Sequence, residues 1–224
     1  MPPNFKEIIG SDISDKMLSY ARKCYTEYER VKFEILDISS EEIPKHMLER
    51  FDHVTSFYCL HWIQNLSKSL KNIHQLLRKN GGDCLLVFLG KCSINDAYKL
   101  MMKLPKWSTY MHDYQKFISP LRYSADPAAG FTQLLQQAGF VDYKVEIRND
   151  FFIYNSQMFR GLIRAICPYF ERIPVALHED FLDDFNNIVA SMNLRERIKN
   201  SDDYEYTCKY SLVIAYARKP DSME

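Results

Sequence analysis

Residues 76–90 read LLRKNGGDCLLVFLG: the end of a helix, a turn, then an unbroken apolar run. Upstream, Leu66, Leu70, Ile73 and Leu77 recur at helical spacing, and Asn80-Gly81-Gly82 supplies the stop, because glycine accepts the left-handed backbone that ends helices. The run CLLVFLG (84–90) has no polar alternation, which predicts a strand buried on both faces, as in a parallel sheet. Toward the amino terminus the same alternation continues. Phe5 to Ile9 predicts a short strand, and Ser14 an N-cap with Asp15 favoured by the helix dipole. Met17, Ala21, Cys24 and Tyr28 then mark an amphipathic helix face. Val31, Phe33 and Ile35 alternate with Lys32 and Glu34 before Leu36-Asp37-Ile38, and Phe51 to Leu60 is a third strand candidate. Strand and helix in alternation predict a doubly wound α/β domain.

Toward the carboxyl terminus the texture changes. A helix is expected over 94–104, followed by an irregular aromatic connection, PKWSTYMHDYQKFISPLRYSAD (105–126). Asp126 and Pro127 open a helix that Gly139 closes, and 141–148 reads as a strand. Two helices, one carrying Phe159, Leu162, Ile163 and Ile166 and one over about 175–192, precede a last strand at 210–217. The expectation is one domain, 1–224, with helical elements at 94–125 and 155–200 inserted ahead of its final strand.

The bulk numbers fit a soluble globular chain, 46% hydrophobic and 26% charged. The 29 basic and 29 acidic residues cancel, which leaves no electrostatic footprint for nucleic acid. No stretch approaches the roughly 20 apolar residues of a membrane span. The six cysteines show no metal-binding spacing, and several lie in apolar runs, so reduced core thiols in a cytoplasmic protein are expected, with no metal. Nothing in the sequence bears on oligomeric state.

Three stretches carry chemistry. In IIGSDIS (8–14), Asp12 closes a strand just ahead of a helix cap. In an open α/β sheet that is where ligands bind, and a carboxylate there accepts from ribose hydroxyls; equally, it serves as a turn residue that steadies the helix start. In ILDIS (35–39), Asp37 repeats the arrangement one strand on, open either to an adenine amino group, with Ile38 against the base, or to solvent. In FYCLHWIQNL (57–66), His61 and Trp62 spill past a third strand end; they line the same crevice or form a satisfied core pair.

Together GSDIS, FEILDI, FDHVTSFYCLHWIQN, LLRKNGG, PKWSTYMHDYQKFISP and LLQQAGF resemble the class I S-adenosyl-L-methionine-dependent methyltransferases, and more closely the insect juvenile hormone acid O-methyltransferases, from residue 1 to about 218. LDI and LLRKNGG are generic to the superfamily; FYCLHW and PKW…YM…KFISP are specific to the subfamily. The resemblance implies a Rossmann-like sheet with a helical cap. By position it implies that Asp12, Ile13, Asp37 and Ile38 hold the nucleoside of S-adenosyl-L-methionine, and that Ser56 and Phe57 pass its methionine portion. It implies that His61 and Trp62 face the acceptor, and that Trp107, Tyr110, Met111 and Phe117 close over an isoprenoid chain. The implied reaction is O-methylation of an apolar small-molecule carboxylic acid, such as farnesoic or juvenile hormone acid.

One element of the family is absent from the sequence. The family opens with a strand and a loop of the form acid-x-Gly-x-Gly-x-Gly, whereas the seven glycines here form no G-x-G. The absent strand is central in the family's sheet, so its neighbours are expected to carry unpaired backbone groups, at roughly 1–3 kcal/mol for each buried one. Three readings follow: a fragment of a complete enzyme, a catalytically inactive relative that binds an apolar acid without cofactor, or a chain whose partner supplies the strand.

Overall fold

The computed structural model describes residues 5–221. β1 (Ile8–Asp12), α1 (Asp15–Cys24) and β2 (Val31–Ile35) form a parallel β-α-β unit. Ser14 caps α1 as expected, its Oγ accepting from the Met17 N–H at 3.3 Å. The first strand begins later than its hydrophobic pattern suggests and runs through Gly10. A Cβ there would sit 2.9 Å from the Phe33 ring, so glycine lets the β2 side chain lie against the β1 backbone.

β3 (His53–Phe57), α2 (Leu66–Leu76) and β4 (Asp83–Cys92) form a second parallel unit. α3 (Ser93–Met101), the short α4 (Pro105–Ser108) and α5 (Pro127–Gln137) follow, then β5 (Val141–Asn155), α6 (Ser156–Ile166) and α7 (His178–Ser191). The chain ends in β6 (Arg195–Arg197) and β7 (Tyr204–Arg218), both antiparallel additions. β5 and β7 are each longer than expected, because Phe151–Asn155 pairs with Glu205–Lys209 in a ribbon beyond the sheet. Their alternation alone did not mark that extension, and β6 gave no signal at three residues.

Hydrogen bonding divides the strands into two sheets, β1-β2 and β3-β4-β7-β5 with β6 on β7. Among the described residues, β1 pairs only with β2, and β3 only with β4. The unpaired edges expected from the sequence are therefore present. Ser11, Thr55 and Phe57 on them are exposed residues and Ile9 is half-buried, so these edges lie toward solvent and the cost of unpaired groups is smaller than for a fully buried edge.

Burial on both faces of the CLLVFLG strand is not what the structure shows. Cys84, Leu86 and Phe88 are fully buried with Phe131 and Leu135 of α5 and Leu70 and Ile73 of α2. On the opposite face Leu85, paired in register with Tyr216, is 37% exposed, and Tyr216 is 40% exposed. A third cluster, Ile43, Met47 and Leu76, gathers Ile9 of β1 and Val54 of β3 around it and so joins the two sheets. The helices α3, α6 and α7 build a separate aromatic core containing Trp107, Phe159, Phe181 and Phe185.

Candidate active site

β1, β2 and β3 deliver their carboxyl ends to one region. Asp12 is the last residue of β1, and its Oδ1 accepts from the Ser14 N–H at 2.8 Å. Asp37 follows β2, and its Oδ1 accepts from the Ser39 N–H at 2.8 Å and the Ser39 hydroxyl at 2.6 Å. The backbone joins the two, with the Leu36 N–H donating to the Asp12 carbonyl at 3.1 Å. Each carboxylate thus steadies its own turn with one oxygen and keeps the other without a partner among the described residues. The turn role and the binding role are compatible.

β3 leads into Tyr58, which holds a left-handed φ of 53°, a conformation unusual for a bulky residue. Cys59 comes next, exposed as a residue. Desolvation of its thiol, then the carboxylate of Asp12 and more weakly that of Asp37, holds it above the ordinary thiol range, against a lowering hydrogen bond with Ser56. Leu60, His61 and Trp62 form a 3-10 turn, closed by the Trp62 N–H donating to the Cys59 carbonyl at 3.0 Å. Gln64 ties the turn to the helical cap through the carbonyls of Lys116 and Ile118, at 3.0 and 2.9 Å.

His61 is 6% exposed, and its Nδ1 is buried without a hydrogen-bond partner. Burial lowers its pKa to about 4, so the imidazole is neutral at physiological pH. Its ring lies 4.9 Å from that of Trp62, which is 39% exposed. Ile13 and Phe57 are exposed at 69% and 57%, while Ile38 and Ser56 are half-buried.

The four aromatic-cap residues divide. Trp107 and Met111 have no exposed surface, and the Trp107 Nε1–H donates to Asp184 Oδ2 at 2.8 Å, which makes it a strut between α4 and α7. Tyr110 and Phe117 are half-buried, Phe117 lying edge-on to Tyr169 at 5.5 Å. A cleft of about 740 Å³ opens elsewhere on the cap side, where Lys91, Arg122, Phe151, Leu194 and Lys209 line it; none of these four residues does.

Asn72 escaped the sequence reading. It is 1% exposed on α2, and its Nδ2 donates at 2.8 Å to the carbonyls of both Ile38 and Ser40, which fixes the loop that carries Asp37. The available signal was an asparagine on the apolar face between Leu70 and Ile73. Among the described residues no group of three or more His, Cys, Asp or Glu is placed to hold a metal.

Two carboxylates that each keep an unpartnered oxygen, with the apolar Ile13 and Ile38 next to them in sequence, are the kind of acceptor and apolar set that can hold a hydroxyl-rich nucleoside; separately, the His61 Nδ1 is buried without a partner. Residues 1–85 match the methyltransferase domain family. The chain is 50% identical over 214 residues to the juvenile hormone acid O-methyltransferase of Drosophila melanogaster, covering 95% of this chain and 72% of that protein. It is 34% identical over 222 residues to the Bombyx mori enzyme of the same name, covering 98% of this chain and 78% of that one. A solved structure of phosphoethanolamine N-methyltransferase 2 from Haemonchus contortus, in complex with phosphomonomethylethanolamine and S-adenosylhomocysteine, superposes with a TM-score of 0.52 at 18% identity, over 96% of this chain and 44% of that one. The fold and the close relatives agree: this chain belongs to the juvenile hormone acid O-methyltransferase family, within the S-adenosyl-L-methionine-dependent methyltransferases.

Proposed function

We propose that this protein methylates a carboxylate oxygen of a long apolar acid, isoprenoid or fatty, such as farnesoic acid or juvenile hormone acid. The observation that carries the reading is the 50% identity to the fly enzyme across nearly the whole chain. When bound, S-adenosyl-L-methionine supplies a methyl group on a sulfonium, an electrophile suited to an anionic oxygen. A carboxylic acid with an ordinary pKa of about 4 is already ionised at neutral pH, so the protein needs no strong base.

The chain's own residues then bind, orient and exclude water. Asp12 and Asp37 accept from the cofactor's hydroxyl and amino groups, with Ile13 and Ile38 against its base, while Ser56 and Phe57 border the methionine portion. Neutral His61 and the Trp62 indole N–H steer the acceptor carboxylate without neutralising it. Tyr110 and Phe117 offer apolar surface to the acid's chain, and Trp107 and Met111 hold the cap behind them. All six cysteines are free thiols, which supports a reducing, cytoplasmic setting.

The test is methyl transfer from radiolabelled S-adenosyl-L-methionine to farnesoic acid, juvenile hormone acid and a saturated fatty acid, with extraction of the labelled ester. Ester from at least one acid is expected. Asp12→Ala should weaken S-adenosylhomocysteine binding about tenfold, the worth of one charged hydrogen bond. A protein that binds the cofactor but esterifies none of the three acids overturns the substrate class; unchanged affinity in Asp12→Ala overturns the cofactor assignment.

A further inference from the structure

β5 is the outer strand of the larger sheet: it is hydrogen-bonded to β7 and, among the described residues, pairs with no strand on its other side. From Lys144 to Asn155 its register with β7 runs without a break. The irregularity that bends it, with Asp142 at a left-handed φ of 49°, lies ahead of that run. A long, regular edge exposes a row of backbone donors and acceptors, which soluble proteins commonly interrupt with a bulge or a proline. Neither interrupts β5 between Lys144 and Asn155.

The hydrogen bonds of β7 fix which residues of β5 turn outward. The N–H groups of Thr207, Lys209 and Lys219 donate to the Leu194 carbonyl, the Ser93 hydroxyl and the Gly82 carbonyl, all on the side of β7 away from β5. Odd-numbered residues of β7 therefore face β4 and β6, and even-numbered ones face β5. The register joins Tyr216 to Lys144, Ile214 to Glu146 and Leu212 to Arg148. The even residues of β5 are thus committed to β7, and Val145, Ile147, Asn149 and Phe151 turn their N–H and C=O groups to the free edge. With no strand beside it, the Phe151 N–H donates to the carboxylate of Asp150 at 2.8 Å.

We infer that this edge is a dimer interface, at which two copies of the chain pair their β5 strands antiparallel about a two-fold axis at Ile147 and join their sheets into one. The charge pattern carries the choice of a second copy. Lys144, Glu146, Arg148 and Asp150 alternate in sign along one face of the strand. An axis at Ile147 sets Lys144 opposite Asp150 of the second copy and Glu146 opposite Arg148, each twice. Lys144 and Asp150 are exposed and have no ion-pair partner among the described residues, while Glu146 and Arg148 already lie together at 2.9 Å. On the other face Tyr143 meets the exposed Phe151 of the second copy, and Ile147 meets its own counterpart. Other registers lose this match. An axis one residue earlier sets Lys144 against Arg148 and Glu146 against itself, and one residue later sets Arg148 against itself and Glu146 against Asp150. An axis at Asn149 leaves Lys144 and Glu146 opposite Tyr154 and Phe152, and one at Val145 draws in the irregular segment at Asp142. A single strand edge buries little area, so the dimer is reversible, with a micromolar Kd.

The test is sedimentation equilibrium of the whole chain from about 1 μM to about 0.2 mM, which needs neither cofactor nor substrate and so stands apart from the proposed activity. A monomer–dimer equilibrium is expected. Lys144→Asp and Asp150→Lys each set like charges opposite one another twice, and each should weaken the dimer about tenfold. Both substitutions in one chain should restore it, and an equimolar mixture of the two single variants should form a heterodimer tighter than either homodimer. The amides of Val145, Ile147 and Asn149 should exchange more slowly as the concentration rises. Three results overturn the inference: a chain that stays monomeric at the top of the range, a dimer that the single variants leave unchanged, which places the contact elsewhere, or a double variant and a mixture no tighter than the single variants.

Discussion

Asn72 offers a sharp test of how the site is held. Its amide nitrogen makes two hydrogen bonds of 2.8 Å to the loop after β2, in a site 1% exposed, while its Oδ1 is buried with no partner. Each bond contributes about 1 kcal/mol net, and removing the orphaned oxygen returns part of the loss, so Asn72→Ala should cost about 1–2 kcal/mol. Asn72→Asp keeps the shape but turns acceptor oxygens toward two carbonyls in a buried place. Its cost should reach about 4 kcal/mol when the carboxylate is charged. With a urea m-value of about 2–3 kcal/mol/M, the unfolding midpoint should fall by about 0.5 M for the alanine variant and about 1.5 M for the aspartate variant. The buried aspartate would have a folded pKa above its unfolded value. The folded state then holds the extra proton, and the variant's stability falls as pH rises through that raised pKa. Urea titrations at pH 5 and pH 8 provide the assay, followed by S-adenosylhomocysteine binding to the folded variants. Asn72→Ala should weaken that binding about fivefold as the Asp37 loop loosens. An aspartate variant as stable as the alanine variant at pH 8 would refute the donor role, and an unchanged affinity would refute the positioning role.

Other consequences are equally direct. His61, with a folded pKa of about 4 against an ordinary 6.5, binds its proton more readily unfolded, so stability should fall by up to about 3 kcal/mol as pH drops through that window. His61→Phe should flatten that part of the stability–pH curve, and an identical curve would dismiss the burial argument. Trp107→Phe loses the N–H to Asp184 and leaves a gap in a fully buried cluster, for an expected cost of about 2–4 kcal/mol in chemical denaturation. A loss below about 1 kcal/mol would mean that Trp107 is no strut. Aromatic disulfide reagents should modify Cys24 first and Cys59 more slowly, its raised pKa leaving less thiolate, with Cys84, Cys92, Cys167 and Cys208 protected until unfolding. Peptide mapping of early modification at any of those four would contradict the burial pattern.

The sequence by itself determined the parts that depend on local pattern. The spacing of Leu66, Leu70 and Ile73 marked α2, and Ser14 and Asp126 marked their helix starts, because periodicity and capping act over a few residues. Tertiary structure alone decided the rest. Whether Leu85 was buried depended on what lay across the sheet from α2, which no local pattern contains. Asn72 became a support for the Asp37 loop only through contacts 32 and 34 residues away. The ribbon of β5 and β7 extended because the two segments met each other. The open edges of β1 and β3 were legible as a missing partner, but their common orientation and shared cluster were not. Those follow from Glu7 meeting Arg50 and from Ile9 and Val54 meeting the same side chains, contacts that exist only once the chain has folded.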